Sequence, residues 1–270
     1  GDTYANRMPD PVLQQVEHFN NPGITQNDAF KPVTKYFDRI TRPEQILQTF
    51  PQAVQVLLDP ADCGPVCISL CQDIQGEIFD YPEDFFKEKI HNIRRPRPDD
   101  FQIKEAAEKI KKSKNPIIIS GGGVFYSDAM EELSTFAVKH NIPVTQTVMG
   151  YSSMKRDHSH FLGPIGGLGG KAANNFAKKT DLAIAIGTKL GDFTTGSWSN
   201  FENPNFSLVS INVARFDASK HMAQSIIGDA KVSLNELSQA LGDWKASEEW
   251  HKKSRDELKS WNEYVDKESG

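Results

Sequence analysis

Cysteine is scarce in this 270-residue chain, which has three: Cys63, Cys67 and Cys71. Steps of four would set all three on one face of a helix. Gly64-Pro65, however, separates the first from the strand-like run Val66-Cys67-Ile68-Ser69-Leu70-Cys71. No histidine lies near them in sequence, and their spacing fits neither zinc nor iron–sulfur ligation. Buried, reduced thiols of a cytoplasmic protein are expected instead. No stretch reaches the ~18 apolar residues of a spanning helix and no signal-peptide pattern is read at the opening, so a membrane partner is not expected. Positive charge is not in excess either: the formal net charge is -5, which disfavours a nucleic-acid partner. The one basic cluster, Arg94-Arg95-Pro96-Arg97-Pro98, is short and flanked by acids. Without a Gly-x-Ser-x-Gly elbow or a Walker loop, nucleophilic hydrolysis and P-loop phosphoryl transfer find no support. His158-Ser159-His160 has no third ligand to complete it, so no metal site is expected. The first residues are Gly1-Asp2-Thr3 rather than methionine, from which a processed chain, or a piece of a longer one, is expected.

Glycine-rich loops are what the chain does have. Ser120-Gly121-Gly122-Gly123-Val124, Gly163 to Gly170, and Ile186-Gly187-Thr188-Lys189-Leu190-Gly191 each follow an apolar run of strand length. Bare glycines at a strand end let backbone N–H groups approach a phosphate, and the next helix adds its positive end. Two readings follow, a nucleotide-shaped cleft or plain tight turns. The candidate cofactor-binding residues are Gly121, Gly122, Gly123, Gly166, Gly167 and Gly187. Asp217, just past the strand Leu208–Asn212, stands where a ribose-binding acid could sit, and Asp192 could equally be a helix cap.

The pattern along the chain is α/β: a doubly wound, mostly parallel sheet of Rossmann type, preceded by a partial α/β domain. Over residues 1–81, Thr41-Arg42-Pro43-Glu44 reads as a capping box. The helix it starts carries Ile46, Leu47, Phe50, Val54, Leu57 and Leu58, is kinked at Pro51, and leads to a buried strand Val66–Leu70. Residues 82–100, stiffened by proline, fit a linker. Residues 101–243 alternate helices with strands at Pro116–Ile119, Pro143–Thr147, Leu182–Ile186, Leu208–Asn212 and Ser225–Ile227. Ser127 and Asp128 are expected to cap a helix whose Met130, Leu133, Phe136 and Ala137 face the sheet. Residues 244–270 read as an amphipathic helix resting on this domain.

Several segments together resemble a known family. Gly121-Gly122-Gly123, Gln146-Thr147-Val148-Met149-Gly150, Gly163 to Asn174, Thr180 to Lys189 and Ser210-Ile211-Asn212-Val213 look like the central domain of thiamine-diphosphate enzymes of the acetohydroxyacid synthase type. Asn27-Asp28-Ala29-Phe30-Lys31 and Gly64 to Ile74 match the closing half of that family's pyrimidine-binding domain. Gly1 to Arg7 with Asp10-Pro11-Val12-Leu13-Gln14-Gln15 look closest to a hydrolytic branch that opens the ring of an inositol-derived cyclic 1,2-dione.

The resemblance implies thiamine diphosphate and magnesium as cofactors of the whole enzyme, with C–C bond cleavage by water in myo-inositol catabolism. It also implies a cytoplasmic homo-oligomer acting on a small molecule, a cyclic polyol dione. The family holds metal and diphosphate through Gly-Asp-Gly. Gly-Asp occurs here at Gly1, Gly191, Gly228 and Gly242, and none continues to a further glycine. No catalytic residue and no metal ligand is therefore expected in this chain. By resemblance, residues 1–81 close a pyrimidine-binding domain, residues 101–243 form the central domain, and residues 244–270 lead toward a diphosphate-binding domain. Phe30 and Lys31 match positions that relatives place by the thiazolium and substrate, and Gln72 matches a position where some carry lysine. Lys31 stands where relatives of the synthase type carry glutamine, which suits an oxygen-rich substrate. Against this, Phe30 can be core and Lys31 surface. A flavin-carrying carboligase of the synthase branch and a non-catalytic dinucleotide-binding or assembly module both stay open.

Overall fold

The computed structural model describes residues 1–7, 15, 18 and 20–269. The opening motif at Asp10-Pro11-Val12-Leu13-Gln14 lies outside the described residues. The chain divides into two compact units, Gly1–Arg94 and Arg95–Gly270, and the division falls inside the proline-rich stretch 82–100.

In the amino-terminal unit two parallel strands, β1 (Tyr36–Ile40) and β2 (Val66–Leu70), pair from Tyr36↔Val66 to Ile40↔Leu70. Helix α1 (Ile46–Leu58) crosses between them. Its start differs from the expected capping box. The Gln45 side-chain oxygen accepts the N–H groups of Thr41 at 2.7 Å and Arg42 at 3.2 Å, while Glu44 pairs with Arg42 at 2.6 Å. Pro51 lies within α1, which runs on to Leu58. Strand β1 gives no apolar alternation, because Asp38 and Arg39 occupy its middle. The apolar cluster here is small, namely Ile40, Cys71 and Ile74. The expectation for the thiols is corrected: Cys71 is buried, Cys67 is half-buried and Cys63 is exposed. Burial, with Asp2 and Asp73 nearby, pushes the Cys71 thiol up to about 11.

The second unit is built on six parallel strands in the order β5-β4-β3-β6-β7-β8. In chain order it runs α2 (Asp100–Lys112), β3 (Pro116–Ser120), α3 (Gly123–Tyr126), α4 (Met130–His140), β4 (Val144–Gln146), β5 (Phe161–Pro164), α5 (Lys171–Ala177), β6 (Leu182–Ile186), α6 (Asp192–Thr195), β7 (Ser207–Asn212), α7 (Arg215–Ala218), β8 (Gln224–Ile227), α8 (Ala230–Leu241) and α9 (Glu248–Ser269). Counted within the unit this is order 3-2-1-4-5-6, with its switch point between β3 and β6. Both of those strands are buried at every position, as central strands of a parallel sheet covered on two faces must be. The doubly wound α/β fold expected from the alternation is present.

Three local expectations change. Gly163, assigned to a glycine loop, sits in strand β5, whose glycine and proline hide it in the sequence. An edge strand with a register shift against β4 tolerates both. Ser127 and Asp128 do not cap α4. The Ser127 hydroxyl instead accepts the Ala230 N–H at 3.2 Å, and Asp128 pairs with Lys231 at 3.3 Å. Met130 is exposed, whereas Leu133, Phe136 and Ala137 are buried as expected.

Helix α9 rests on this unit, against α5 and β5. The Trp250 ring stacks on Phe176 at 4.0 Å, and its indole N–H donates to the Pro116 carbonyl at 2.9 Å. The next residue, His251, donates to the Ser159 carbonyl at 3.1 Å and stacks on buried His160 at 4.2 Å. Burial first, and then the charges of His251, His158 and Arg255, push the His160 imidazole down to about 4.

Candidate functional site

The carboxyl ends of the strands carry all three glycine segments on one edge of the sheet. Gly121 to Gly123 follow β3, Gly166 and Gly167 follow β5, and Gly187 follows β6. At the switch point the loops after β3 and β6 cross in direct backbone contact. The Gly121 N–H donates to Ile186 O at 2.8 Å, Gly123 N–H to Gly187 O at 2.9 Å, and Gly187 N–H to Ile211 O at 2.8 Å. A Cβ at Gly123 would lie 2.6 Å from the Gly187 Cα, and Gly187 itself has a left-handed φ of 58°. Glycine is required here for two turns to pass each other. Gly122 differs, since a Cβ there would approach the Met149 carbonyl at 3.2 Å, and it faces the loop after β4.

The second glycine segment is pinned to the third. Gly166 has φ 103°, and a Cβ there would collide with the Phe193 carbonyl, which accepts the Gly167 N–H at 2.7 Å. The Asn174 amide closes the loop by pairing with both the Gly166 N–H and its carbonyl, each at 2.9 Å. Asp217 lies on α7 beyond β7, on the same edge, and its carboxylate is paired with Lys220. In this geometry five of the six candidate glycines are engaged in backbone packing, and Asp217 has an ammonium partner.

Sequence reasoning missed the apolar rim of this edge. Met149 is 71% exposed and Phe193 73%, with Val148, Leu168 and Phe216 also exposed. A large apolar residue inside a glycine-rich loop is the signal that could have found it. Beneath the loop after β4 lies a buried polar cluster. There the Ser120 and Ser153 hydroxyls meet at 2.7 Å, and the Gln146 amide donates to Ser153 at 3.3 Å and to the Met154 carbonyl at 3.0 Å. These bonds hold the Thr147–Met154 loop to the ends of β3 and β4.

In the amino-terminal unit, Phe30 and Lys31 sit on the 3-10 turn Gln26–Val33 that precedes β1. Both side chains are about half exposed, Phe30 at 51% and Lys31 at 53%. The Lys31 ammonium pairs with Asp28 at 2.6 Å and stands 5.0 Å above the Phe37 ring. Gln72 is exposed just beyond β2, where its N–H donates to the Asp2 carbonyl at 3.2 Å. No described hydrogen bond joins Lys31 to Gln72: the Lys31 ammonium is held by Asp28, and Gln72 meets Asp2 through its backbone.

Behind Lys31 runs a chain of ionic contacts that the sequence did not reveal. The Asp28 carboxylate accepts the Thr25 N–H at 2.6 Å and Arg39 at 2.7 Å, and Arg39 Nε donates to Asp2 at 2.6 Å. Asp2 is fully buried and also accepts the Ser69 hydroxyl at 2.5 Å and the Thr3 N–H at 2.8 Å. Burial alone would raise the Asp28 carboxyl. The bonds from Lys31, Thr25 and Arg39 outweigh it and hold the group well below the usual carboxylate range. Asp2 is lowered in the same way, burial being overcome by Ser69, Arg39 and Thr25. Among the described residues no three His, Cys, Asp or Glu side chains come together as a metal-binding group. No helix among them is long and apolar enough to cross a membrane.

Residues 103–237, half of the chain, match the family model described as thiamine pyrophosphate enzyme, central domain. The chain belongs to the thiamine pyrophosphate enzymes. The matched segment runs from α2 into α8 and so spans the whole six-stranded sheet of this thiamine pyrophosphate enzyme central domain. Among curated relatives, a 3D-(3,5/4)-trihydroxycyclohexane-1,2-dione hydrolase of Clostridium perfringens (strain 13 / Type A) is 52% identical over 241 residues, 89% of this chain and 38% of the relative. One of the same name from Clostridium botulinum (strain Eklund 17B / Type B) is 47% identical over 271 residues, 99% of this chain and 42% of the relative. A third, from Geobacillus thermodenitrificans, is 44% identical over 244 residues, 90% of this chain and 38% of the relative. The chain therefore spans about two fifths of the length of these relatives.

Proposed function

We propose that this chain is part of a thiamine-diphosphate-dependent hydrolase that opens the ring of an inositol-derived cyclic 1,2-dione by C–C bond cleavage. The observation that carries the reading is identity of 44–52% to hydrolases of that name across most of the chain. The whole protein would be a cytoplasmic homo-oligomer acting on a neutral polyol dione, with magnesium bound beside the diphosphate. Neither a Gly-Asp-Gly motif nor a described metal-binding group occurs in this chain. Its residues do not fit the metal–diphosphate end of the cofactor, and no step is assigned to them there. What this chain would supply is the substrate end: the Lys31 ammonium donating to hydroxyl or carbonyl oxygens, Phe30 offering an apolar surface beside it, and Gln72 a second polar contact. The flavin-carrying carboligase is less favoured, because backbone packing already accounts for most of the glycines that would hold a nucleotide.

The test is the whole protein with thiamine diphosphate and magnesium, assayed for ring opening of the cyclic dione. Turnover is expected. Carboligation of pyruvate without ring opening, or a yellow protein carrying flavin, would transfer the chain to the synthase branch. In the same assay Lys31→Ala should lower kcat/KM by about one to two decades, the size of a charge-assisted hydrogen bond made in the transition state. Its thermal midpoint should stay nearly unchanged, as expected for a half-exposed lysine.

A further inference from the structure

We infer that Asp28 tunes the Lys31 end of the amino-terminal unit for uncharged, oxygen-rich ligands and against carboxylates. The inference rests on the reading above in one respect only, that Lys31 faces the substrate. An ammonium has three N–H donors. One of these is committed to Asp28 at 2.6 Å, which leaves two for a ligand. The second Asp28 oxygen is occupied by Arg39 at 2.7 Å and the Thr25 N–H at 2.6 Å. Arg39 in turn is held by buried Asp2 at 2.6 Å. Among the described residues the ionic chain alternates Lys31, Asp28, Arg39 and Asp2, two cations with two carboxylates. Its charges cancel.

Lys31 therefore offers hydrogen bonds without a net positive field. A hydroxyl or ketone oxygen needs only the donors and gains them in full. A carboxylate approaching the same ammonium meets Asp28 on its far side, so that attraction and repulsion offset. A bare lysine at this position would favour the opposite ligand, an anionic 2-oxo acid. If the network only braced the 3-10 turn, removing one of its charges would alter stability and leave ligand selectivity untouched.

Two probes of similar size separate these outcomes: pyruvate, which carries a carboxylate, and butane-2,3-dione, which carries a neutral acetyl group in its place. Each is titrated calorimetrically into the whole enzyme and is also measured as a competitive inhibitor of ring opening. Asp28→Asn should tighten pyruvate relative to butane-2,3-dione by at least about tenfold, the size of one uncompensated charge at contact distance. Adding Lys31→Gln to that variant should return the ratio to its wild-type value. An unchanged ratio in Asp28→Asn overturns the inference, and so does a changed ratio that persists once Lys31 is replaced. Asp28→Ser makes the same prediction with a side chain that still accepts the Thr25 N–H, should the asparagine variant fail to fold. If the enzyme never opens the cyclic dione, the proposed function fails, while the calorimetric ratio still decides the role of Asp28.

Discussion

In the central unit, β3 and β6 are buried residue by residue and the apolar core continues through α2, α4, α5 and α8 to Trp250 on α9. In the amino-terminal unit the sheet has two strands, the apolar cluster is Ile40, Cys71 and Ile74, and an ionic chain joins Asp2, Arg39, Asp28 and Lys31. Apolar burial is non-directional and adds up with area. A buried charge is stabilising only while its partner is in place. Damage should therefore scale with volume removed in the first unit and with unpaired charge in the second. All four tryptophans, Trp198, Trp244, Trp250 and Trp261, lie in the central unit, so indole fluorescence follows that unit alone and amide exchange can follow the other.

The largest expected effect is a cavity in the central unit. Phe136→Ala empties a fully buried site between α4 and the sheet and should cost about 3–5 kcal/mol in the fluorescence-detected denaturant transition. A loss below about 1 kcal/mol would mean that apolar packing is not what holds this unit. Next comes Arg39→Met, which keeps volume, leaves buried Asp2 without its cation and leaves Asp28 with Lys31 alone. It should destabilise the amino-terminal unit by about 3 kcal/mol, read as faster amide exchange along β1 and β2, with the fluorescence transition unmoved. Unchanged exchange would remove the ionic chain as the support of that unit.

Gly187→Ala probes the edge where the two candidate roles of the glycines meet. A methyl group there meets the Gly123 backbone at a left-handed φ of 58°, so a loss of about 2 kcal/mol is expected with no ligand present. An alanine variant of native stability would return Gly187 to a role in binding.

The subtlest contrast is in pH. His160 is pushed down to about 4 in the fold, against about 6.5 for a free imidazole. Because the folded value is depressed, this contribution is fully present above pH ~6.5 and is lost as pH falls from there toward 4, roughly 3 kcal/mol in all. Asp2 and Asp28 are also depressed, but from the carboxylate range. Their contribution is present above pH ~4 and is lost only below it, as pH falls through their lowered values. Acidification should thus weaken the seat of α9 before it weakens the ionic chain. His160→Asn should reduce the loss of fluorescence-detected stability between pH 6.5 and 4, the remainder coming from His140 and His158, which burial also pushes down. If both units lose stability together across that range, the comparison fails.

Legibility in the sequence followed the same division. The apolar runs Ile117–Ile119 and Leu182–Ile186 are long enough to be read as buried parallel strands, and the glycines after them marked the edge where the loops gather. Strand β1 was illegible because Asp38 and Arg39 interrupt it, and β5 because Gly163 and Pro164 disguise an edge strand as a loop. The glycine motif indicated close backbone approach without identifying what approaches. In the fold, the backbone of one turn fills the space beside another at Gly123 and Gly187. Phe30 and Lys31 were marked by resemblance, but Lys31 was read without Asp28, although the two are three residues apart.

The α/β alternation, the parallel sheet and the loop edge were set by the sequence itself, because the 3.6 and buried-strand patterns and the strand-end glycines are local properties of consecutive residues. Tertiary structure alone decided which charges meet. Asp2, Asp28 and Arg39 belong to three separate segments, and each carboxylate comes within 2.7 Å of Arg39 only because Asp2 pairs beyond the end of β2, which runs beside β1, and the Gln26–Val33 turn lies against both strands. Whether Lys31 is a bare cation or a neutralised donor depends on that meeting, since an ion's field is determined by the neighbours that surround it in space.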